Sequence, residues 1–287
     1  MTAMYSKSPL NYIGGKYKML PKLLPLFPAR INTFYDLFAG GCDVCTNVTA
    51  NTKFANDINF HVINVYKEFQ QRSIENILST IDNYISEYRL TKQNIEGFLA
   101  LRKYYNECNP SERNPIMLFT LVCYSFNHQY RFNSSHEFNG SFGKDRSSFN
   151  GTIRKNLITF HEKIKDIHFL SKDFTDINLT WLGINDFLYA DPPYKISTGV
   201  YNDGKRGFKG WSTYEDLRLF SILDVLNNKG VKFALSNVIE HKGMKNAELI
   251  QWMAKYNVHY MDYDYKNSNY HAKNTDLPTI EVLITNY

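Results

Sequence analysis

The 287-residue chain reads as an α/β protein: a doubly wound sheet interrupted by one mainly helical insertion that carries a β-hairpin. Two observations predict this. Short β-prone apolar runs alternate with helical spacing in the first and last thirds, which is the pattern of a largely parallel sheet covered on both faces. From about Glu68 to Lys165 the strand rhythm stops and a 3.6-residue apolar period replaces it. The division therefore expected is 1–67 with 166–287 as one unit, and 68–165 as the inserted lobe.

Composition supports a packed core and narrows the class. Hydrophobic residues make up 43% of the chain, and 21 Tyr with 20 Phe give ample surface for packing or for stacking on planar ligands. A net charge of +5 leans weakly towards a polyanionic partner. No apolar run approaches the roughly 20 residues of a membrane span, and no charged–apolar–small signal opens the chain. A soluble, cytoplasmic protein without a membrane partner is expected, as a monomer or weak dimer. Cys42 and Cys45 have C-x-x-C spacing, but Cys108 and Cys123 supply no second zinc-type pair. Reduced thiols are expected, with no metal and no disulfide.

The elements follow in order. Asn11-Tyr-Ile-Gly-Gly-Lys16 precedes the helical pattern Met19, Leu20, Leu23, Leu24. A Gly-Gly pair lets backbone approach a ligand, and Lys16 near a helix start opposes the macrodipole. The segment is either a ligand loop or a plain loop with a solvated lysine. Thr33-Phe-Tyr-Asp-Leu-Phe-Ala-Gly-Gly-Cys42 predicts a strand and a tight turn, with a helix able to start from Val44 to Val48. It lacks G-x-G-x-x-G, so a pyrophosphate cradle is poorly supported. Lys53-Phe-Ala-Asn-Asp57 predicts a second strand ending in an acid, which either accepts from ribose hydroxyls or caps the next helix.

In the insertion, Ile74, Ile77, Leu78, Ile81 and Ile85 keep helical spacing, and 91–105 and 115–126 predict further helices. A polar segment follows, with Ser134-Ser135 as a hairpin turn and Asn127, Gln129 and Arg131 nearby. Arg and Asn/Gln are the side chains that read base edges, although a solvated surface hairpin has the same composition. Strands resume at 166–170 and 186–190. The second of these stops at Asp191-Pro192-Pro193-Tyr194, either a strand-ending turn or a stiff ledge. As a ledge it offers the Asp191 carboxylate and the Pro192 carbonyl to a planar amine, with the Tyr194 ring to stack on it. A Gly- and Lys-rich loop with Lys205 and Arg206 suits phosphate. Ser212-x-x-Glu215 makes a capping box, and strands at 231–236, 258–261 and 279–285 flank a helix near 244–256.

Together these segments resemble the N6-adenine DNA methyltransferases of the Dam type, the D12 class, in their α-group order. The resemblance rests on Asn-Tyr-Ile-Gly-Gly-Lys, Asp-Leu-Phe-Ala-Gly-Gly, Asn56-Asp57-Ile58-Asn59, the Arg131–Gly143 segment, Asp-Pro-Pro-Tyr and the closing Glu281-Val-Leu-Ile-Thr-Asn-Tyr287. It implies a Rossmann-like methyltransferase sheet, S-adenosyl-L-methionine as methyl donor, and double-stranded DNA as partner. A cognate restriction endonuclease would be a partner by association. By position it implies cofactor contacts for Tyr12, Lys16, Phe38, Gly40, Asp57, Asp173, Phe174 and Asp191. Asp191, Pro192 and Tyr194 would carry the chemistry. Phe126 matches the aromatic that wedges into the duplex, and Arg131 matches an arginine that reads guanine. Asn11, Asn127, Gln129, Asn133, Lys205 and Arg206 complete the expected DNA face. Two positions depart from the pattern. Members that read GATC carry a lysine where this chain has Asn11 and a small apolar residue where it has Gln129, which leaves the target site open.

The chemistry such a site needs is consistent with these residues. A base inside a duplex must be flipped out before its amine can react, at a cost of a few kcal/mol. The N6 lone pair is delocalised, and two acceptors at Asp191 and Pro192 favour the geometry that frees it.

Overall fold

The computed structural model describes residues 5–196, 210–261 and 279–287. Eight strands among them form one sheet: β1 (Thr33–Asp36), β2 (Thr52–Asn56), β3 (Ile167–Leu170), β4 (Phe187–Ala190), β5 (Lys232–His241), β6 (Met244–Lys245), β7 (Asn257–Tyr260) and β8 (Thr279–Thr285). Their order is β3-β2-β1-β4-β5-β8-β7, with β6 paired to β5. The first five strands in that order run parallel, and β8 is antiparallel to both β5 and β7. β1 lies between β2 and β4, so the chain reverses its winding there. Ligand crevices in such sheets open at the carboxyl ends of those strands.

Alternate residues of each strand feed opposite cores, as the two-residue side-chain period requires. Phe34, Phe187, Tyr189, Ala234 and Leu283 face one cluster; Tyr35, Leu188, Ala190, Leu235, Val282 and Ile284 face the other. The second face is covered by α7 (Thr213–Asn228) and α8 (Ala247–Met253). α7 starts at the expected capping box, Ser212 with Glu215. On the first face α2 (Phe60–Gln71) packs on the sheet, and its cluster continues into α3 (Ile74–Glu87), α4 (Ile95–Glu107), α5 (Pro115–Tyr124) and α6 (Gly151–Ile164). α5 has nine buried residues of ten and forms the lobe's centre.

Four expectations are corrected. No helix forms at 44–48: Cys42 takes positive φ, and the Asn47 and Val48 N–H groups share the Val44 carbonyl, so turns replace a regular ladder. β5 runs on to His241 instead of stopping at Ser236, through a bulge between Val238 and Glu240. The helix expected near 244–256 shortens to α8, because Met244–Lys245 pairs as β6 and Asn246 caps the helix after it. The hairpin of the lobe is reduced to two isolated bridges, Ser125↔Phe142 and Phe132↔Phe138. Its turn is where expected, closed by the His136 N–H donating to the Asn133 carbonyl at 3.0 Å. No helix among the described residues is long and apolar enough to cross a membrane.

Candidate active site

A cleft of about 400 Å³ opens at the carboxyl ends of β1, β2 and β4, within the size range of cofactor sites. Its floor is the turn after β1. Gly40 has φ +47°, and a Cβ there would lie 2.9 Å from the Tyr12 ring, so glycine is required on both counts. The Gly40 N–H donates to Asp57 Oδ2 at 2.9 Å, and its carbonyl accepts from Tyr66 Oη at 2.7 Å. The Asn59 N–H donates to the other Asp57 oxygen at 2.8 Å. Asn59, and not Asp57, caps α2, and Asp57 lines the cleft. Burial raises the Asp57 carboxyl to about 6, against the two N–H donors that lower it.

Phe38, Phe174 and Trp211 form an aromatic corner, with ring centroids 5.4–5.5 Å apart. Trp211 Nε1 donates to the buried Asp216 at 2.7 Å, which fixes the indole plane. Asp173 also lines the cleft, and its Oδ1 accepts from the Thr175 N–H and hydroxyl. Asp36 closes the inner end. It is buried, its Oδ1 lacks a hydrogen-bond partner, and burial followed by the nearby Asp191 and Asp57 holds its carboxyl well above the usual range.

The ledge after β4 stands beside this cleft. Asp191 Oδ2 pairs with the Lys16 ammonium at 2.9 Å, and Asp191 Oδ1 lies 2.8 Å from Tyr194 Oη. Lys16 also donates to the Gly14 carbonyl and lies 5.0 Å from the centre of the Tyr194 ring. Burial raises the Asp191 carboxyl, Lys16 opposes that, and Glu281 reinforces it. The fold thus brings together Tyr12, Lys16, Phe38, Gly40, Asp57, Asp173, Phe174, Asp191, Pro192 and Tyr194 on one cleft. Sequence reasoning missed Asp36 and Trp211, and gave Glu281 no role. Asp36 ends the first strand and was legible as such; nothing local marked the other two.

The lobe sets a second group to one side. Phe126 is 47% exposed, and the Arg146 guanidinium lies over its ring at 5.1 Å. Asn127 and His128 both take positive φ, which turns the chain sharply just after the ring. Asn127 and Arg131 are exposed, Gln129 is half-buried, and Asn11 bonds to the Asn127 carbonyl. The Asn133 side chain is occupied within the turn, accepting from the Ser135 and Glu137 N–H groups and donating to Glu137. The hairpin docks on α2 through His61, stacked on Phe132 at 3.7 Å. Burial, His136 and Arg113 lower the His61 imidazole to about 3, so this contact is neutral. Lys205 and Arg206 lie outside the described residues.

A winding reversal at β1 and β4, a glycine floor and a second-strand acid define a Rossmann-like nucleotide-binding fold. The model of the D12 class N6 adenine-specific DNA methyltransferases matches residues 12–276, and the chain belongs to that family. It is 47% identical over 288 residues to the type II methyltransferase M.FokI of Planomicrobium okeanokoites, covering all of this chain and 44% of that protein. It is 46% identical over 290 residues to the modification methylase StsI of Streptococcus sanguinis, again over all of this chain and 44% of the relative. The chain therefore spans less than half the length of these two. The type II methyltransferase M1.LlaDCHI of Lactococcus lactis subsp. cremoris is 26% identical over 286 residues, 96% of this chain and 94% of its own length.

Proposed function

We propose that this chain is a site-specific adenine DNA methyltransferase (EC 2.1.1.72). It would methylate N6 of an adenine flipped out of a short duplex site, in a restriction–modification or phage protection role. The observation that carries this reading is the Asp191-Pro192-Pro193-Tyr194 ledge at the edge of a cleft shaped for a nucleoside. Such work places the protein in the cytoplasm of a prokaryotic or phage-infected cell.

The cleft fits S-adenosyl-L-methionine. The unpartnered oxygen of Asp36 suits its ammonium group, Asp57 keeps lone pairs for ribose hydroxyls, and the aromatic corner suits the adenine ring. Tyr12 and Lys16 close the cleft on the ledge side. When bound, the cofactor supplies a sulfonium-activated methyl group. Asp191 and the Pro192 carbonyl then accept from the target amine, orienting its lone pair and stabilising the charge it gains. Tyr194 stacks on the extruded base. Once the amine has reacted, Asp191 is the group placed to accept its surplus proton.

Residues 68–165 serve as the target-recognition lobe and 1–67 with 166–287 as the catalytic unit. Phe126 fills the gap left by the flipped base. Asn127, Gln129 and Arg131 face base edges, Asn133 holds the hairpin tip, and Lys205 and Arg206 follow the phosphates. The test is to incubate unmethylated genomic DNA with labelled S-adenosyl-L-methionine and map modified bases by single-molecule sequencing. N6-methyladenine in one short motif is expected. No label in DNA, from protein that still binds the cofactor, overturns the reading in favour of an RNA or protein substrate.

A further inference from the structure

Glu281 sits on β8, buried to 2% exposure, opposite Val238 of the antiparallel neighbour β5. It reaches the reaction centre from the side of the sheet remote from the glycine floor. Its Oε1 lies 3.0 Å from Tyr194 Oη and 3.6 Å from the Lys16 ammonium, which itself pairs with Asp191 at 2.9 Å. A neutral acceptor would serve to hold the tyrosine hydroxyl. A second buried carboxylate is costly, and it makes physical sense only if its charge matters. The charges supply the reason. Lys16 and Asp191 alone sum to zero, so the lysine would cancel the carboxylate that faces the reacting amine. Among the described residues, Lys16, Asp191 and Glu281 together carry one net negative charge.

We propose that Glu281 is a positioning residue that takes up the charge of Lys16, so that Asp191 presents its own charge to the sulfonium and the target amine. This rests on the S-adenosyl-L-methionine reading above. The consequence is a site that prefers the cationic donor to S-adenosyl-L-homocysteine, whose sulfur is neutral, and that loosens its hold once the methyl group has gone.

The test compares dissociation constants of the two ligands by calorimetry, without DNA, in the wild type, Glu281→Gln and Lys16→Met. The amide keeps the hydrogen bond to Tyr194 and removes the charge. In Glu281→Gln, donor affinity should fall about tenfold while product affinity stays within about twofold, as expected for one charge acting across a partly buried site. In Lys16→Met the ratio should move the other way, and adding Glu281→Gln to Lys16→Met should bring it back; this double variant decides the matter if the single glutamine variant fails to fold. Equal changes for both ligands, or unchanged ratios, would overturn the proposal, since a merely structural role does not distinguish a sulfonium from a thioether. A wild type that binds neither ligand would instead strike the cofactor reading itself.

Discussion

The Asn11 side-chain amide donates to the Asn127 carbonyl at 3.0 Å, tying the loop that bears Tyr12 and Lys16 to the backbone beside Phe126. Asn127 holds a left-handed conformation at φ +56°, which costs a non-glycine residue energy unless neighbours fix it. For the wedge role proposed for Phe126 the ring must already project, and this bond helps keep it projecting. Asn11→Ala should therefore lower kcat/KM for DNA by about tenfold, the worth of one hydrogen bond, and leave cofactor affinity unchanged. The loss should be the same on every sequence. A loss confined to substrates altered at one base pair would show instead that Asn11 reads a base.

Arg131 and Arg146 should separate cleanly. Arg131 is exposed on the hairpin, where a side chain can reach a base edge, whereas Arg146 is stacked on Phe126. Arg131→Ala should relax specificity at one base pair by about 1–3 kcal/mol, measured as kcat/KM on a set of singly altered duplexes. Arg146→Ala should weaken all duplexes alike and reduce base extrusion, followed with 2-aminopurine at the target position.

Tyr194 combines a ring with a hydroxyl that lies between two acids, 2.8 Å from Asp191 and 3.0 Å from Glu281. Tyr194→Phe keeps the stacking surface. It should lower kcat by about 10- to 100-fold, from a lost hydrogen bond to a charged group, with KM for DNA within about twofold. Tyr194→Ala should also raise KM, because base–aromatic stacking is worth about 1–3 kcal/mol.

The sheet and the ledge were legible because their signals are local. The run from Phe187 to Ala190 is uniformly buried and stops at two prolines. The glycine turn announces a close approach, which proves to be the Tyr12 ring against Gly40. What escaped depends on residues distant in sequence. Glu281 lies in a run that reads as an ordinary buried strand, and only the β5–β8 pairing carries it to Tyr194. Trp211 joins Phe38 and Phe174 through the packing of α7 on the sheet. The missing helix at 44–48 had a different cause: Cys42 takes positive φ, and Asn47 and Val48 both donate to the Val44 carbonyl, so no regular ladder builds up.

Asp57 should make cofactor binding pH-dependent. Burial raises its carboxyl to about 6 in the ligand-free protein, so at lower pH it is mostly protonated. A ribose hydroxyl donates best to the ionised form, so binding must drive the proton off below pH 6 and gains nothing above it. The sign follows: affinity for S-adenosyl-L-homocysteine is full above about pH 7 and falls up to tenfold per unit below 6, with proton release visible as a buffer-dependent calorimetric enthalpy. Folding is linked in the opposite sense. A carboxyl raised by burial favours the folded state while protonated, and that contribution is lost as pH rises from about 4 through 6. Ligand should therefore raise Tm more at pH 7.5 than at pH 5.5. Asp43 lines the same cleft and is also raised to about 6 by burial, so Asp57→Asn serves as the discriminating variant. Affinity that is weaker in Asp57→Asn but flat with pH assigns the dependence to Asp57. A slope that survives in the variant assigns it to the other cleft carboxyls that burial raises, Asp36, Asp43 or Asp191.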